Sequence, residues 1–279
     1  MNEDKDYKDD IWYKGLSAFS PQDIPPDDLL LHHSKPVLLP ETTRDSIVIC
    51  LHGWTASPYE ALPIARAVHE IGFAVSVPLL PGHGIRDESK AKQIISQVKY
   101  TDWVNAVRNE IEQARKAYRH VFIYGQSMGG ALALLMAEKN LLEACAVTAP
   151  AIKLTWQSRL VTTLLGRINI YDEKEEDTPF FNECYSFRSL RSARELRCLG
   201  DLVRKNLSKV RCPVLECHSH LDDTILPPIA HLIEKKVSGP VEIRWFDRSG
   251  HTMPLDVEGP AVVGAIRDFF VNINEKKLQ

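Results

Sequence analysis

The sequence predicts an α/β fold: a mostly parallel central sheet with helices on both faces and a small lid inserted over one edge. Three observations predict it. Strand-like apolar runs alternate with amphipathic helical stretches, which implies right-handed crossovers between parallel strands. Runs such as Ser46-Ile47-Val48-Ile49-Cys50-Leu51 are apolar throughout rather than alternating, as expected of strands covered on both faces. Finally, Tyr124-Gly125-Gln126-Ser127-Met128-Gly129-Gly130 sets a serine between one such strand and a helix.

That stretch organises the rest. Val121-Phe122-Ile123-Tyr124, led by His120, reads as a buried strand, and Ala131-Leu132-Ala133-Leu134-Leu135-Met136-Ala137 reads as a helix of strong helix formers. A Gly-x-Ser-x-Gly corner forces the serine into a strained conformation, and Gly125 and Gly129 supply the missing side chains that close approach demands. The corner lifts the hydroxyl above the sheet and aims the first helix amides at the same space. The pattern also arises by chance; its strand-before, helix-after setting is what gives it chemical meaning.

At 279 residues the chain can bury a full core, as one large α/β domain or two small ones. A net charge of -3 gives no electrostatic reason to expect nucleic acid or an anionic membrane as partner. No apolar run approaches the length of a membrane span, and Met1-Asn2-Glu3-Asp4-Lys5-Asp6 has no signal-peptide core. The six cysteines lack CxxC spacing, and Cys50, Cys145 and Cys217 lie in apolar runs where a buried thiol is expected. The expectation is a cytoplasmic, reduced protein without metal, and nothing in the sequence sets an oligomeric state.

In chain order, residues 1–45 read as an arm, polar and irregular up to about residue 35, packed along the surface, with a first strand at Pro36-Val37-Leu38-Leu39-Pro40. Residues 46–150 and 188–279 form the core. After the strand 46–51, Ser57, Pro58 and Glu60 make a helix start, and Gly72 caps that helix. Residues 73–80 give the next strand, closed by Pro81-Gly82-His83-Gly84. Thr101 is expected to cap a long helix with Trp103, Val104, Val107, Ile111 and Ala114 on one face. A strand over 142–148 follows the serine helix. Residues 151–187 break the rhythm and read as a lid. They hold an apolar stripe that includes Leu154, Trp156, Leu160 and Val161, an acidic run over 172–177 given no role, and an aromatic cluster around Phe180. A helix over 190–207, strands over 212–217 and 241–246, and a terminal helix complete the core.

A serine hydroxyl needs a base to take its proton and an acid to orient that base. The candidates in order are Ser127, then Asp222 or Asp223, then His251, each following a predicted strand and so meeting on one edge. Among the ten histidines, His52 and His83 are read as loop braces, and His218 and His220 as rivals that precede the acid. The negative oxygen of a tetrahedral intermediate would be met by the backbone N–H groups of Met128 and Trp54.

These pieces resemble the α/β-hydrolase fold, and more narrowly the bacterial carboxylesterase and monoacylglycerol lipase group. The matching stretches are His52-Gly53-Trp54-Thr55, Pro81-Gly82-His83-Gly84, Gly125-Gln126-Ser127-Met128-Gly129-Gly130, Asp222 with Ile225 and Pro227, and Ser249-Gly250-His251. The resemblance covers roughly residues 45–272. It implies Asp222 as the acid, through its spacing to Ile225 and Pro227. It implies a cofactor-free serine hydrolase acting on small-molecule esters of short to medium acyl chains, monoglycerides among them. The lid would set chain length, with Trp156 and Phe180 against the substrate. The same triad serves amide or peptide hydrolysis, and a non-catalytic binding module on this fold is the remaining alternative.

Overall fold

The unbroken apolar runs become the strands of the computed structural model, which describes residues 6–139, 141–174 and 178–278. Residues 1–5 of the polar N-terminus, and Glu175, Glu176 and Asp177 of the acidic run, lie outside the described residues. In chain order the strands are β1 (Val37–Leu39), β2 (Ser46–Leu51), β3 (Ala74–Val77), β4 (His120–Gln126), β5 (Cys145–Thr148), β6 (Tyr171–Glu173), β7 (Phe187–Ser189), β8 (Val214–Ser219) and β9 (Val241–Phe246). Among the described residues a 7-stranded sheet runs β1-β3-β2-β4-β5-β8-β9. It is parallel except for β1, which pairs antiparallel with β3. β2, β3, β5 and β8 are buried along their whole length, the physical reason their sequences do not alternate.

The helices are α1 (Ile11–Lys14), α2 (Leu62–His69), α3 (Glu88–Ile95), α4 (Tyr100–Ala117), α5 (Met128–Ala137), α6 (Trp156–Leu164), α7 (Leu190–Asn206), α8 (Pro228–Lys236) and α9 (Gly259–Leu278). From β2 the chain moves one way along the sheet to β3, then back past β2 to β4. Right-handed crossovers therefore put α2 and α4 on opposite faces. α9 packs with α2, and α5 and α7 pack with α4, which completes the two layers. On one side of the core Phe122 receives Phe73 and Phe270 edge-on, each with ring centroids 5.5 Å apart.

Local chemistry moves some boundaries from those the sequence predicts. α4 starts at Tyr100 because Asp102 reaches back to accept the Lys99 N–H at 2.8 Å; Thr101 is not its cap. β3 stops at Val77 because Pro78 has no N–H to give the ladder. Just beyond, Leu79 exchanges backbone hydrogen bonds of 2.8 and 2.9 Å with Leu16.

That exchange belongs to the N-terminal arm, which is built in more deeply than a surface tail. Trp12, Tyr13, Leu16 and Leu30 join the main hydrophobic core. Two buried carboxylates fasten the arm. Glu110 of α4 accepts from the Ser17 hydroxyl at 2.6 Å, the Ala18 N–H at 3.2 Å and the Ser76 hydroxyl of β3. Glu183, between β6 and β7, accepts from the His33 N–H, the Ser34 hydroxyl and, at 3.1 Å, the Ser57 hydroxyl beyond β2.

Two glycines make opposite predictions. A Cβ on Gly125 would lie 2.2 Å from the backbone of Gly129, whereas one on Gly264 in α9 would meet nothing within 4 Å. Gly125→Ala should lower the unfolding free energy by at least about 3 kcal/mol or prevent folding. Gly264→Ala should raise it by up to about 1 kcal/mol. Denaturant titration of the two variants checks both signs.

Candidate active site

β4 delivers Ser127 to the carboxyl edge of the sheet and α5 leaves it at once. The turn holds Ser127 at φ 51° and ψ -110°, a conformation that a side chain rarely adopts. Its backbone is pinned from three directions: its N–H donates to Thr148 O at 2.9 Å, and its carbonyl accepts from Ala131 at 3.0 Å and Ala151 at 2.9 Å. Gly129 lies so close to β2 that a Cβ there would sit 2.5 Å from the carbonyl oxygen of Leu51.

The ends of β4, β8 and β9 bring three predicted side chains together. The Ser127 hydroxyl lies 3.0 Å from His251 Nε2, and His251 Nδ1 lies 2.8 Å from Asp222 Oδ2. A carboxylate can only accept, so Nδ1 carries the proton and Nε2 is left to accept from the serine. Asp222 is 2 % exposed, and its Oδ1 accepts the backbone N–H groups of Thr224 at 2.9 Å and Ile225 at 2.8 Å. Burial opposes its ionisation, but the His251 imidazole and these amides hold its carboxyl below the ordinary value. Asp223 is exposed, lines the cavity and accepts from the Thr224 hydroxyl at 3.4 Å. His220 also faces outward, stacked on Trp245 with centroids 4.5 Å apart. His218 is buried behind Asp222, away from Ser127.

Several supporting residues were not singled out for their roles by the sequence. Gln126, the variable position before the serine, is buried; its Nε2 donates to the His251 carbonyl at 2.8 Å and its Oε1 accepts from the Thr148 hydroxyl. Glu60 folds back so that Oε2 accepts the Gly53 N–H at 2.5 Å, which fixes the loop that presents the Trp54 amide. Burial pushes the Glu60 carboxyl up, partly offset by that N–H. The only signal for Glu60 was its place in a helix start. Among the described residues, neither the Trp54 N–H nor the Met128 N–H has an acceptor within the protein. The Trp54 indole donates to the Ser192 hydroxyl of α7 at 2.9 Å, so the side chain anchors while the amide stays free.

Ser127, His251, Trp54 and Glu60 line a cavity of about 740 Å³. α6 closes part of it with Gln157, Ser158, Val161 and Thr162, and Leu154 stands just before that helix. The residues expected against the substrate do not line it: Trp156 is 70 % exposed and Phe180 52 % exposed. Helical geometry explains the first. Positions 157, 158, 161 and 162 share one face, whereas Trp156, Leu160 and Leu164 follow one another at four-residue steps along the outer face. Phe180 lies on the chain between β6 and β7, beside Phe181, which packs on Tyr59 and His33.

His52 and His83 brace loops, as the sequence suggested. His52 Nε2 accepts the Leu80 N–H and His83 Nε2 the Thr55 N–H, both at 3.1 Å, while each Nδ1–H donates to a backbone carbonyl. Burial lowers both from the ordinary histidine value, His83 to about 4. The unfolded chain therefore takes up protons that the folded one refuses. This stability is complete above about pH 6.5, falls as pH drops towards 4 and is gone below it. For His83 the loss is about 3 kcal/mol. Denaturant titrations at pH 7, 5.5 and 4.5 should show the decline, and His83→Asn should flatten it; equal slopes would reject the neutral His83.

The sequence matches the alpha/beta hydrolase family over residues 48–265. It is 27% identical over 239 residues to a thermostable monoacylglycerol lipase of Bacillus sp. (strain H-257), covering 80% of this chain and 89% of that one. It is 22% identical over 237 residues to a carboxylesterase of Bacillus subtilis (strain 168), covering 82% and 94%. In fold it resembles a solved structure from the work on LipS and LipT, two metagenome-derived lipolytic enzymes. The TM-score is 0.80 at 20% identity over 87% of this chain and 99% of that one. A monoacylglycerol lipase of Paleococcus ferrophilus superposes with TM-score 0.70 at 16% identity over 86% and 98%. With a family match over most of its length, the chain belongs to the alpha/beta hydrolase family.

Proposed function

We propose that the protein is a serine ester hydrolase cleaving carboxylic esters of short to medium acyl chains, monoacylglycerols included, through an acyl-enzyme. The observation that carries this reading is the unbroken hydrogen-bond chain from the Ser127 hydroxyl through His251 to Asp222. Ser127 Oγ attacks the ester carbonyl while His251 Nε2 takes its proton. The amides of Trp54 and Met128 receive the oxyanion, and Asp222 stabilises the imidazolium. His251 then protonates the leaving alcohol, and water, activated by the same imidazole, releases the acid. The curated relatives, a monoacylglycerol lipase and a carboxylesterase, support ester substrates. Residues 151–187 act as a cap whose α6 face sets acyl length. The buried thiols of Cys50, Cys145 and Cys217 support a reducing, cytoplasmic setting. No described helix is long and apolar enough to cross a membrane.

A fluorophosphonate should label the protein once, at Ser127, and Ser127→Ala should abolish both labelling and ester turnover. Asp222→Asn should cut turnover about a thousandfold or more, and Asp223→Asn about tenfold or less. Hydrolysis surviving in Ser127→Ala would reject the mechanism. Labelling without turnover of any graded ester would instead identify a binding protein, and faster cleavage of a matched amide an amidase.

The cap makes a separate prediction. Leu154→Ala or Val161→Ala should shift the preferred acyl length, changing the kcat/KM ratio between neighbouring lengths by about tenfold. Trp156→Ala should leave the ratio unchanged. A profile that moves with Trp156 and ignores Leu154 and Val161 would place the acyl group elsewhere.

A further inference from the structure

Behind the acid lies a second pair of titratable groups that the reaction does not touch. Glu216 and His218 project from β8, and both are fully buried. His218 Nδ1 lies 2.7 Å from Glu216 Oε1, and His218 Nε2 lies 2.8 Å from the carbonyl oxygen of Ile225. The same Nε2 is 3.8 Å from Asp222 Oδ2, the oxygen that holds His251. A charged pair on a buried strand needs a reason, because an apolar couple of similar size would satisfy the core as well.

The hydrogen bonds fix most of the protonation. The Ile225 carbonyl can only accept, so His218 Nε2 carries a proton. The short contact at Nδ1 holds one more, either on the ring or on Glu216. An imidazole is about two pKa units more basic than a carboxylate in water, and the nearby Asp222 carboxylate draws the proton further towards the ring. Among the described residues Glu216 Oε2 has no hydrogen-bond partner, so the carboxyl's hydrogen bond goes to His218. Burial pushes the Glu216 carboxyl up and works against the His218 charge; the mutual contact outweighs it for the imidazole, which is held above its ordinary value.

We propose that Glu216 and His218 form a buried ion pair that orients the acid from behind and sets the pH at which His251 becomes a free base. The proposal rests on the Ser127–His251–Asp222 reading, and both are positioning residues. His218 ties down Ile225, whose N–H in turn holds Asp222 Oδ1 at 2.8 Å, so the acid loop is fixed at both of its backbone groups. As a cation 3.8 Å from Asp222, His218 also competes with His251 for the same carboxylate. That competition lowers the proton affinity of His251. Among the described residues, the groups facing the pair include Asp222, His251 beyond it, and His231 of α8, which acts on Glu216; the Trp245 ring lies 5.9 Å from His218. Glu60 faces His251 from the cavity side.

The test is the acid limb of the kcat/KM–pH profile. Glu216→Gln leaves His218 without the anion that holds its proton, so His218 turns neutral. His218→Gln removes the charge while keeping an N–H for the Ile225 carbonyl. Both should move the limb upward by about one pH unit. For Glu216→Gln this sign is decisive, because loss of a carboxylate acting directly through space would move it downward. A downward or absent shift in Glu216→Gln, or a fall in kcat without a shift in His218→Gln, overturns the proposal. Nitrogen-15 NMR of the imidazoles in the intact protein and in Ser127→Ala covers variants that fail to fold. His218 should carry protons on both nitrogens at pH 7.5, and a neutral ring overturns the pair. Turnover retained by Ser127→Ala would refute the mechanism instead, leaving the NMR result unaffected.

Discussion

The backbone approach at the corner between β4 and α5 is the contact on which the edge carrying Ser127, Asp222 and His251 depends. The glycines on either side of Ser127 let the first turn of α5 ride against the end of β2, and no side chain fits between them. The serine is then held in its strained conformation by bonds to three separate residues: Thr148 at the end of β5, Ala131 of α5, and Ala151. Strain of this kind persists only when its surroundings over-determine it. Here the surroundings include the end of the neighbouring strand β5. The geometry of Ser127 and the position of Ala151 are therefore one problem with one solution.

Around that corner, buried polar groups are paired so that each fixes the protonation or direction of the next. Tyr124, Thr148, Gln126 and the His251 carbonyl form a continuous run of hydrogen bonds beneath the serine. His52 and His83 stay neutral because each must offer a bare Nε2 to a backbone N–H. Glu60 does for the Trp54 loop what Asp222 does for His251, using a carboxylate to orient a donor rather than to react. A low-dielectric interior makes such satisfied networks rigid and makes each omission costly.

The sheet and the meeting of Ser127, Asp222 and His251 at one edge were legible in the sequence because both rest on local signals. An unbroken apolar run is a strand covered on both faces, and a serine, an aspartate or a histidine just after it must lie at the same edge. What escaped is set by packing between distant segments. Trp12, Tyr13, Leu16 and Leu30 follow no period, so only the core they enter reveals them. Gln126 occupies a position that the corner motif leaves open. α6 carries apolar residues on more than one face, and nothing in the periodicity shows that Val161 turns inward and Trp156 outward. α4 begins before Thr101 because Asp102, in its first turn, accepts the N–H of Lys99, the residue that precedes the helix.

The carboxylate of Glu183 has a consequence for how this scaffold can be recombined. It joins three stretches far apart in the chain, since Ser34 and Ser57 are fully buried and both donate to it. The segment between β5 and α7 is thus not a cassette. A graft from a relative that lacked an acceptor at this point would strand two interior hydroxyls, at about 1–3 kcal/mol each. A chimaera of this enzyme must carry its N-terminal arm, the loop after β2 and residue 183 as one inherited unit.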